Sequence, residues 1–197
     1  MNYQEAIIEL RESFKIDVKR SKFDFQFGTK PECEEQFISA FQAVDNTIEE
    51  YLHLPEYDQI INWMTDTKGK GLLLTGSCGR GKSIIVTGVL PLIFYTKLKK
   101  ILRYYMAEEI PKKIDEISKS WAVVIDELGV ETQVNNYGEK SEGFNTIVNM
   151  AETKITPLFI STNLTPAGIL SRYGERTLDR ISRLCLVINF TGESLRK

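Results

Sequence analysis

A glycine-rich stretch of eight residues carries the most specific chemical signal in the chain. Residues 76–83 fit the pattern G-x-x-x-x-G-K-[ST]. Its members are Gly76, Ser77, Cys78, Gly79, Arg80, Gly81, Lys82 and Ser83. Glycines let backbone N–H groups turn inward around a polyanion, Lys82 can reach the β- and γ-phosphates, and the Ser83 hydroxyl can bind Mg²⁺. The stretch predicts a loop that binds ATP, ADP or a related nucleotide together with Mg²⁺.

Two adjacent carboxylates follow a second buried-type strand. Residues 121–125 read Trp-Ala-Val-Val-Ile and lead directly into Asp126 and Glu127. Such a run is typical of a central parallel strand, and ligands of open α/β sheets bind beyond the carboxyl ends of these strands. We therefore expect Asp126 to hold Mg²⁺ and Glu127 to activate the attacking water as a general base. An acidic cap on the next helix is an alternative role that is compatible with Glu127.

A third polar position stands at the end of another buried-type strand. Residues 158–162 read Leu-Phe-Ile-Ser-Thr, and Asn163 follows them. A polar side chain at the tip of a buried strand can reach between the other two motifs and hold the water or the γ-phosphate. Asn163 is therefore a candidate sensor residue. The alternative is that it caps the turn into a helix that begins near Pro166.

The pattern around these residues predicts one α/β unit with a helical preface. Before the phosphate loop, amphipathic spacing predicts helices at 3–14, 34–51 and 55–64, and alternation at 23–27 predicts an edge strand or an extended arm. After the loop, the predicted elements are a helix to about 97, a strand at 101–106, a helix at 107–119, the strand ending at Asp126, a polar loop at 133–140, a helix at 144–153, a strand at 158–162, a helix at 172–184 and a last strand at 185–190.

Composition excludes several classes of protein. The net charge of −2 argues against a broadly basic nucleic-acid binder, and the basic clusters at 19–22 and 97–103 are expected to be solvated faces. Three widely spaced cysteines predict neither a disulfide framework nor a zinc site. No segment approaches the roughly 18 consecutive apolar residues of a membrane span, and no signal peptide opens the chain. We expect a cytoplasmic protein without a membrane partner.

Taken together, the motifs resemble those of a known family. The segments at 123–130 (Val-Val-Ile-Asp-Glu-Leu-Gly-Val), 161–163 (Ser-Thr-Asn) and 173–181 (Tyr-Gly-Glu-Arg-Thr-Leu-Asp-Arg-Ile) resemble those of the DnaC/DnaI helicase loaders and the related IstB transposition ATPases of the AAA+ superfamily. The resemblance implies an α/β P-loop NTPase fold, a three-layer sandwich with a central parallel sheet and no or minimal C-terminal lid. It covers an AAA+ core at 33–197 behind a helical N-terminal extension at 1–32.

The same resemblance assigns roles to three arginines. It implies that Arg180, with Arg176 as the second choice, is an arginine finger that enters the nucleotide site of a neighbouring subunit. It also implies that Arg196, in the segment Gly-Glu-Ser-Leu-Arg, contacts the γ-phosphate of its own subunit. The alternative for the helix is a solvated face, since its arginines recur every three or four residues: Arg172, Arg176, Arg180 and Arg183.

The function that the resemblance implies is that of an ATP-binding and hydrolysing protein like a DnaC-type replicative helicase loader, acting in DNA replication. Its Mg-dependent ATPase activity would be weak until the protein assembles. The implied partners are a replicative helicase or another replication or transposition protein, single-stranded DNA, and further copies of the chain that share the ATP site. Two alternatives stay open: an IstB-like transposition helper ATPase, and a nucleotide-binding adaptor without turnover.

Overall fold

Five parallel strands form one sheet in the structure, a computed structural model that describes residues 23–45, 51–129 and 137–195. The strands are β1 (Gly71–Gly76), β2 (Tyr104–Met106), β3 (Val123–Leu128), β4 (Leu158–Thr162) and β5 (Cys185–Phe190). Their order across the sheet is β2-β3-β4-β1-β5. The strand that precedes the phosphate loop therefore lies next to β4, and β4 separates it from the strand that carries Asp126.

Seven helices accompany these strands within the described ranges. They are α1 (Lys30–Val44), α2 (Pro55–Thr65), α3 (Lys82–Ile84, a π-helical turn at Ile85–Val89, then Leu90–Leu98), α4 (Ile110–Ser118, after a 3₁₀ turn at Ala107–Glu109), α5 (Tyr137–Lys154), α6 (Pro166–Tyr173) and α7 (Glu175–Leu184). The π-helical turn ends two residues before Pro91, which has no N–H to donate to the preceding turn.

Helices cover both faces of the sheet. Helices α1 to α3 pack with Leu72 and Leu74 of β1 in one cluster, whereas α4 to α7 pack with Leu73 in the other. All three leucines are buried because successive side chains of a strand point to opposite faces, and both faces of a parallel sheet are covered. The predicted three-layer α/β sandwich is confirmed.

Residues 23–27 form an extended arm rather than an edge strand. Their backbone pairs with a loop and a helix end: the Thr67 N–H donates to Phe25 O (3.2 Å) and the Phe27 N–H to Met64 O (3.0 Å). Phe23 and Phe27 are buried, and both rings lie against Phe94 of α3. The arm thus belongs to the core on the α1–α3 side, although the sequence places it within the 1–32 extension; the domain boundary itself stays a prediction.

Several element boundaries differ from those predicted. The first helix begins at Lys30 because Thr29 and Glu32 form a capping box, with Thr29 N–H donating to Glu32 Oε2 at 2.7 Å. It ends at Val44, and residues 46–50 lie outside the described ranges, as does the helix predicted at 3–14. Of the strand predicted at 101–106, only Tyr104–Met106 pairs with β3.

Two further differences concern the second half of the chain. The polar segment predicted as a loop at 133–140 is helical from Tyr137 onward, where α5 begins. The helix predicted at 172–184 is broken at Gly174, whose backbone (φ 86°, ψ 163°) is not helical, so α6 and α7 are separate. Among the helices of the described ranges, none is long and apolar enough to cross a membrane.

Candidate nucleotide-binding site

The glycine-rich loop joins β1 to α3, as a phosphate-binding loop requires. Gly81 precedes the first residue of α3 and has a φ of +87°, in the left-handed region that glycine adopts without strain. Its carbonyl accepts the first helical hydrogen bond, from the Ile85 N–H at 3.0 Å. Because helix N-termini present unpaired N–H groups and partial positive charge, this junction suits an anion.

Lys82 lies folded onto the loop that it follows. Its Nζ donates to the carbonyl oxygens of Gly76 (2.9 Å) and Ser77 (2.6 Å), and only 6% of the residue is exposed. These two carbonyls thus hold the ammonium against the loop. Anionic phosphate oxygens form shorter and stronger hydrogen bonds with an ammonium than carbonyls do. A nucleotide can therefore recruit Lys82 from this position.

Asp126 and Glu127 occupy an irregular end of β3. The pairing of β3 with β4 shifts register between Ile125 and Leu128, and Glu127 has a φ of +56°. A bulge re-aims side chains at a strand end, and a non-glycine residue in this region stores about 1–3 kcal/mol of strain. The irregularity thus lies at the two residues from which a metal ligand and a general base are expected.

Ser161 of β4 contacts both acidic residues. Its hydroxyl donates to Asp126 Oδ1 and accepts from the Glu127 N–H at 3.1 Å. Asp126 is almost fully buried, so this hydroxyl fixes the orientation of the carboxylate. The sequence motifs assign no role to Ser161. The available signal was its place in the segment 161–163, directly after the apolar run at 158–160.

The end of β4 lies between the ends of β1 and β3, and Asn163 follows it there. The cap of α6 is Thr165, whose Oγ1 accepts from the Gly168 N–H at 3.1 Å. The capping alternative for Asn163 is therefore wrong. Asn163 is exposed, and its position between the two motifs fits the sensor role, which stays a prediction.

The residues at this edge of the sheet fit a magnesium ion that arrives with its nucleotide. Ser83 and Asp126 offer a hydroxyl and a carboxylate, which are the hard oxygen donors that Mg²⁺ prefers. In the part of the chain that the structure describes, no group of three or more His, Cys, Asp or Glu side chains could hold a metal ion. Mg²⁺ is commonly bound through one or two protein ligands, with phosphates and water completing its shell.

Two members of the loop differ from the simple expectation that every residue faces the nucleotide. The guanidinium of Arg80 points away and pairs with Glu56 of α2, with Nη2 at 2.9 Å from Oε1 and 3.1 Å from Oε2. Arg80 can therefore contact a nucleotide through its backbone N–H, not through its side chain. The Ser77 N–H is also engaged, since it donates to Phe190 O of β5 at 2.8 Å. Cys78 is exposed at the rim.

The two candidate finger arginines have different surroundings on α7. Arg180 is largely buried, and its Nε pairs with Glu152 Oε2 of α5 at 2.7 Å. Arg183 pairs with the other oxygen of Glu152 at 3.2 Å and with Asp179 at 2.8 Å. Arg176 is exposed. Arg183 and Arg176 thus agree with the solvated-face alternative, whereas Arg180 is held within its own subunit; its finger role stays a prediction.

The C-terminal segment, residues 191–195, lies against the phosphate loop. The Leu195 N–H donates to Gly79 O at 2.9 Å, and Arg80 Nη1 donates to Glu193 O at 3.2 Å. Arg196 lies outside the described residues, so its contact with a γ-phosphate stays a prediction.

Comparison with solved structures identifies the fold. The structure is similar to that of the DnaC helicase loader, with a TM-score of 0.61 and 17% identity, and the match covers 77% of this chain and 98% of that chain. It is similar to that of DnaI, with a TM-score of 0.59 and 18% identity, and that match covers 80% of this chain and 94% of the other. It is also similar to the replication initiator DnaA bound to AMPPCP and single-stranded DNA, with a TM-score of 0.51 and 12% identity. That match covers 64% of this chain and 41% of the other. No protein-family model matches the sequence, and neither does any curated protein. The chain has the α/β fold seen in the DnaC and DnaI structures.

Proposed function

We propose that this protein binds and hydrolyses ATP with Mg²⁺ and acts in DNA replication as a loader of a replicative helicase. The observation that carries the proposal is the convergence at one sheet edge. The phosphate loop begins where β1 ends, Asp126 lies in the last half of β3, and Asn163 follows β4. These strands are adjacent in the order β3-β4-β1. This arrangement occurs on a fold that aligns with 98% of the DnaC helicase loader structure.

Each residue of the proposed site has one task. Lys82 and the loop N–H groups bind the phosphates, and Ser83 and Asp126 hold Mg²⁺, which neutralises charge on the transferring phosphoryl group when it is bound. Ser161 keeps the Asp126 carboxylate oriented. Glu127 takes the proton of the attacking water, and Asn163 orients that water. Arg180 of a neighbouring copy completes the site once its pair with Glu152 is broken.

The comparisons favour a replication role over transposition. The similar structures reported above are described as a helicase loader, as DnaI and as a replication initiator bound to AMPPCP and single-stranded DNA. Single-stranded DNA and a replicative helicase are accordingly the partners that we propose for this chain. The adaptor alternative requires binding without turnover, and Glu127 in its strained position next to Asp126 argues for turnover instead.

Two measurements test this proposal. Titration calorimetry with ATP and Mg²⁺ should show saturable binding, and Lys82→Ala should weaken it at least tenfold, because about 1.4 kcal/mol of phosphate contact is removed. Affinity capture with a replicative helicase should retain the protein, whereas capture with a transposase should not. Absence of nucleotide binding by the unmodified protein would refute the proposed ATPase activity. Capture by the transposase alone would contradict the loader function and support the transposition-helper function.

A further inference from the structure

A carboxylate outside the glycine-rich motif lies at the centre of the phosphate loop's anchorage. Glu56, in the first turn of α2, is only 4% exposed. Its Oε1 accepts from Arg80 Nε at 3.2 Å, from Arg80 Nη2 at 2.9 Å and from the Thr191 N–H at 2.8 Å, and its Oε2 accepts from Arg80 Nη2 at 3.1 Å. One buried side chain thus joins α2, the phosphate loop and the C-terminal segment.

Arg80 is fixed from its other sides as well. Its Nη1 donates to Glu193 O at 3.2 Å, and its own carbonyl accepts from the Tyr57 hydroxyl at 3.4 Å. The segment that Arg80 reaches also bonds the loop directly, through Leu195 N–H and Gly79 O. A Cβ added to Gly79 would lie 2.0 Å from Ser194 Oγ, so the segment and the loop are in close contact.

The stability of the fold does not explain this arrangement. Burying two charges costs several kcal/mol of hydration, and replacing a buried ion pair with apolar side chains of similar size is often neutral or stabilising. The forked, bidentate geometry instead fixes orientation. Arg80 stands between Gly79 (φ +71°) and Gly81 (φ +87°), the residues whose backbone shapes the loop. Holding Arg80 therefore holds the direction of the N–H groups on both sides of it.

We propose that Glu56 is a positioning residue for nucleotide binding: acting through Arg80, it keeps the phosphate loop in the shape that receives phosphates and keeps residues 191–195 against it. The inference rests on the proposed function, because it concerns the same nucleotide. The pair also keeps the Arg80 guanidinium out of the phosphate cradle, which leaves Lys82 as the cation that meets the β- and γ-phosphates.

The test is a double-mutant cycle on nucleotide affinity, with fold stability measured in parallel. Glu56→Gln, Arg80→Met and the apolar pair Glu56→Met with Arg80→Met are titrated with Mg·ATP and with ADP. We expect each single variant to bind about tenfold more weakly and the double variant to lose no more than the singles, because Glu56 acts through Arg80. The melting temperature of the double variant should stay near that of the unmodified protein, since its site is filled by apolar side chains.

A matched control is available on the same helix. Asp58 is half exposed and pairs with His53, so Asp58→Asn should bind nucleotide as the unmodified protein does. Amide hydrogen exchange of residues 77–82 without nucleotide gives a second measure. Exchange should accelerate in Glu56→Gln and stay unchanged in Asp58→Asn.

The outcomes separate this inference from the proposed function. If the double variant retains full affinity while Lys82→Ala loses it, the positioning role is refuted and the ATP site stands. If the unmodified protein binds neither ATP nor ADP, both proposals fall. A loss of affinity that only accompanies a large drop in melting temperature, in every variant including the apolar pair, would reduce Glu56 to a structural residue and also overturn the inference.

Discussion

At the scale of single residues, the site depends on one hydroxyl to which the motifs assign no role. Ser161 donates to Asp126 Oδ1 and accepts from the Glu127 N–H, so one side chain of β4 orients the expected metal ligand and the backbone of the expected base. Residues that orient metal ligands typically contribute 10–100-fold to metal affinity or activity. Ser161 thus contributes to the proposed chemistry through the residues that it contacts.

Replacing Ser161 with alanine tests this contribution. Turnover at saturating Mg·ATP should fall about 10–100-fold, because the Asp126 carboxylate loses its orienting donor. ATP affinity should change less, since the loop and Lys82 are untouched. Steady-state kinetics of Ser161→Ala and of the exposed control Ser182→Ala give the comparison, and equal turnover numbers for the two variants would contradict the assignment.

The three cysteines differ in environment, and this difference yields a labelling prediction. Burial raises the pKa of the Cys33 thiol and raises that of Cys185 to about 12, whereas Cys78 is exposed within the phosphate loop. A thiolate is the reactive form, so the raised pKa values keep Cys33 and Cys185 protonated and unreactive near pH 8. Iodoacetamide should therefore modify Cys78 first, and Mg·ATP should slow that reaction. Peptide mass spectrometry would show this. Equal labelling of Cys185, or no protection by ATP, would contradict it.

At the scale of elements, α5 and α7 hold the candidate finger. The Arg180–Glu152 pair is largely shielded from solvent on the arginine side, and Arg183 pairs with the same carboxylate. An arginine that serves a neighbouring subunit must leave this pair, so assembly has to compensate for its loss. This requirement agrees with the expectation that an isolated subunit has weak activity.

Mixing two inactive variants tests whether Arg180 acts between subunits. Lys82→Ala removes nucleotide binding but keeps the finger, and Arg180→Ala removes the finger but keeps the binding site. Each should be nearly inactive alone, and their mixture should recover turnover because one subunit supplies what the other lacks. A mixture of Lys82→Ala with Arg183→Ala is the control, because Arg183 is a surface arginine on the same helix. If the first mixture recovers no turnover, Arg180 serves only its ion pair with Glu152 and does not act between subunits.

At the scale of the whole molecule, the sheet order brings distant segments to one edge. The phosphate loop, the carboxylates and Asn163 are separated along the chain, and β4 lies between β1 and β3. The arm at 23–27 adds to the α1–α3 side, where Phe23 and Phe27 pack on Phe94 of α3, the helix that starts at the loop. The core and the site therefore share α3.

The sequence was sufficient for the features that depend on local pattern. The phosphate loop, the strand that carries Asp126 and the order of strands and helices follow from motif spacing and apolar runs. The partners of Arg80 and Asp126 could not be predicted, because the tertiary fold brings Glu56 and Ser161 to them from 24 and 35 residues away. The arm at 23–27 alternates like a strand, but its backbone bonds to Thr67 and Met64 instead of a neighbouring strand.

ATP hydrolysis across a series of protein concentrations, with and without single-stranded DNA, tests the central claim most directly. A site completed by a neighbouring subunit predicts that turnover per subunit rises with protein concentration and rises further with DNA. It also predicts that Glu127→Gln abolishes turnover while ATP still binds, because only the general base is lost. Turnover that is constant across all concentrations and persists in Glu127→Gln would contradict a shared, Glu127-dependent ATPase site.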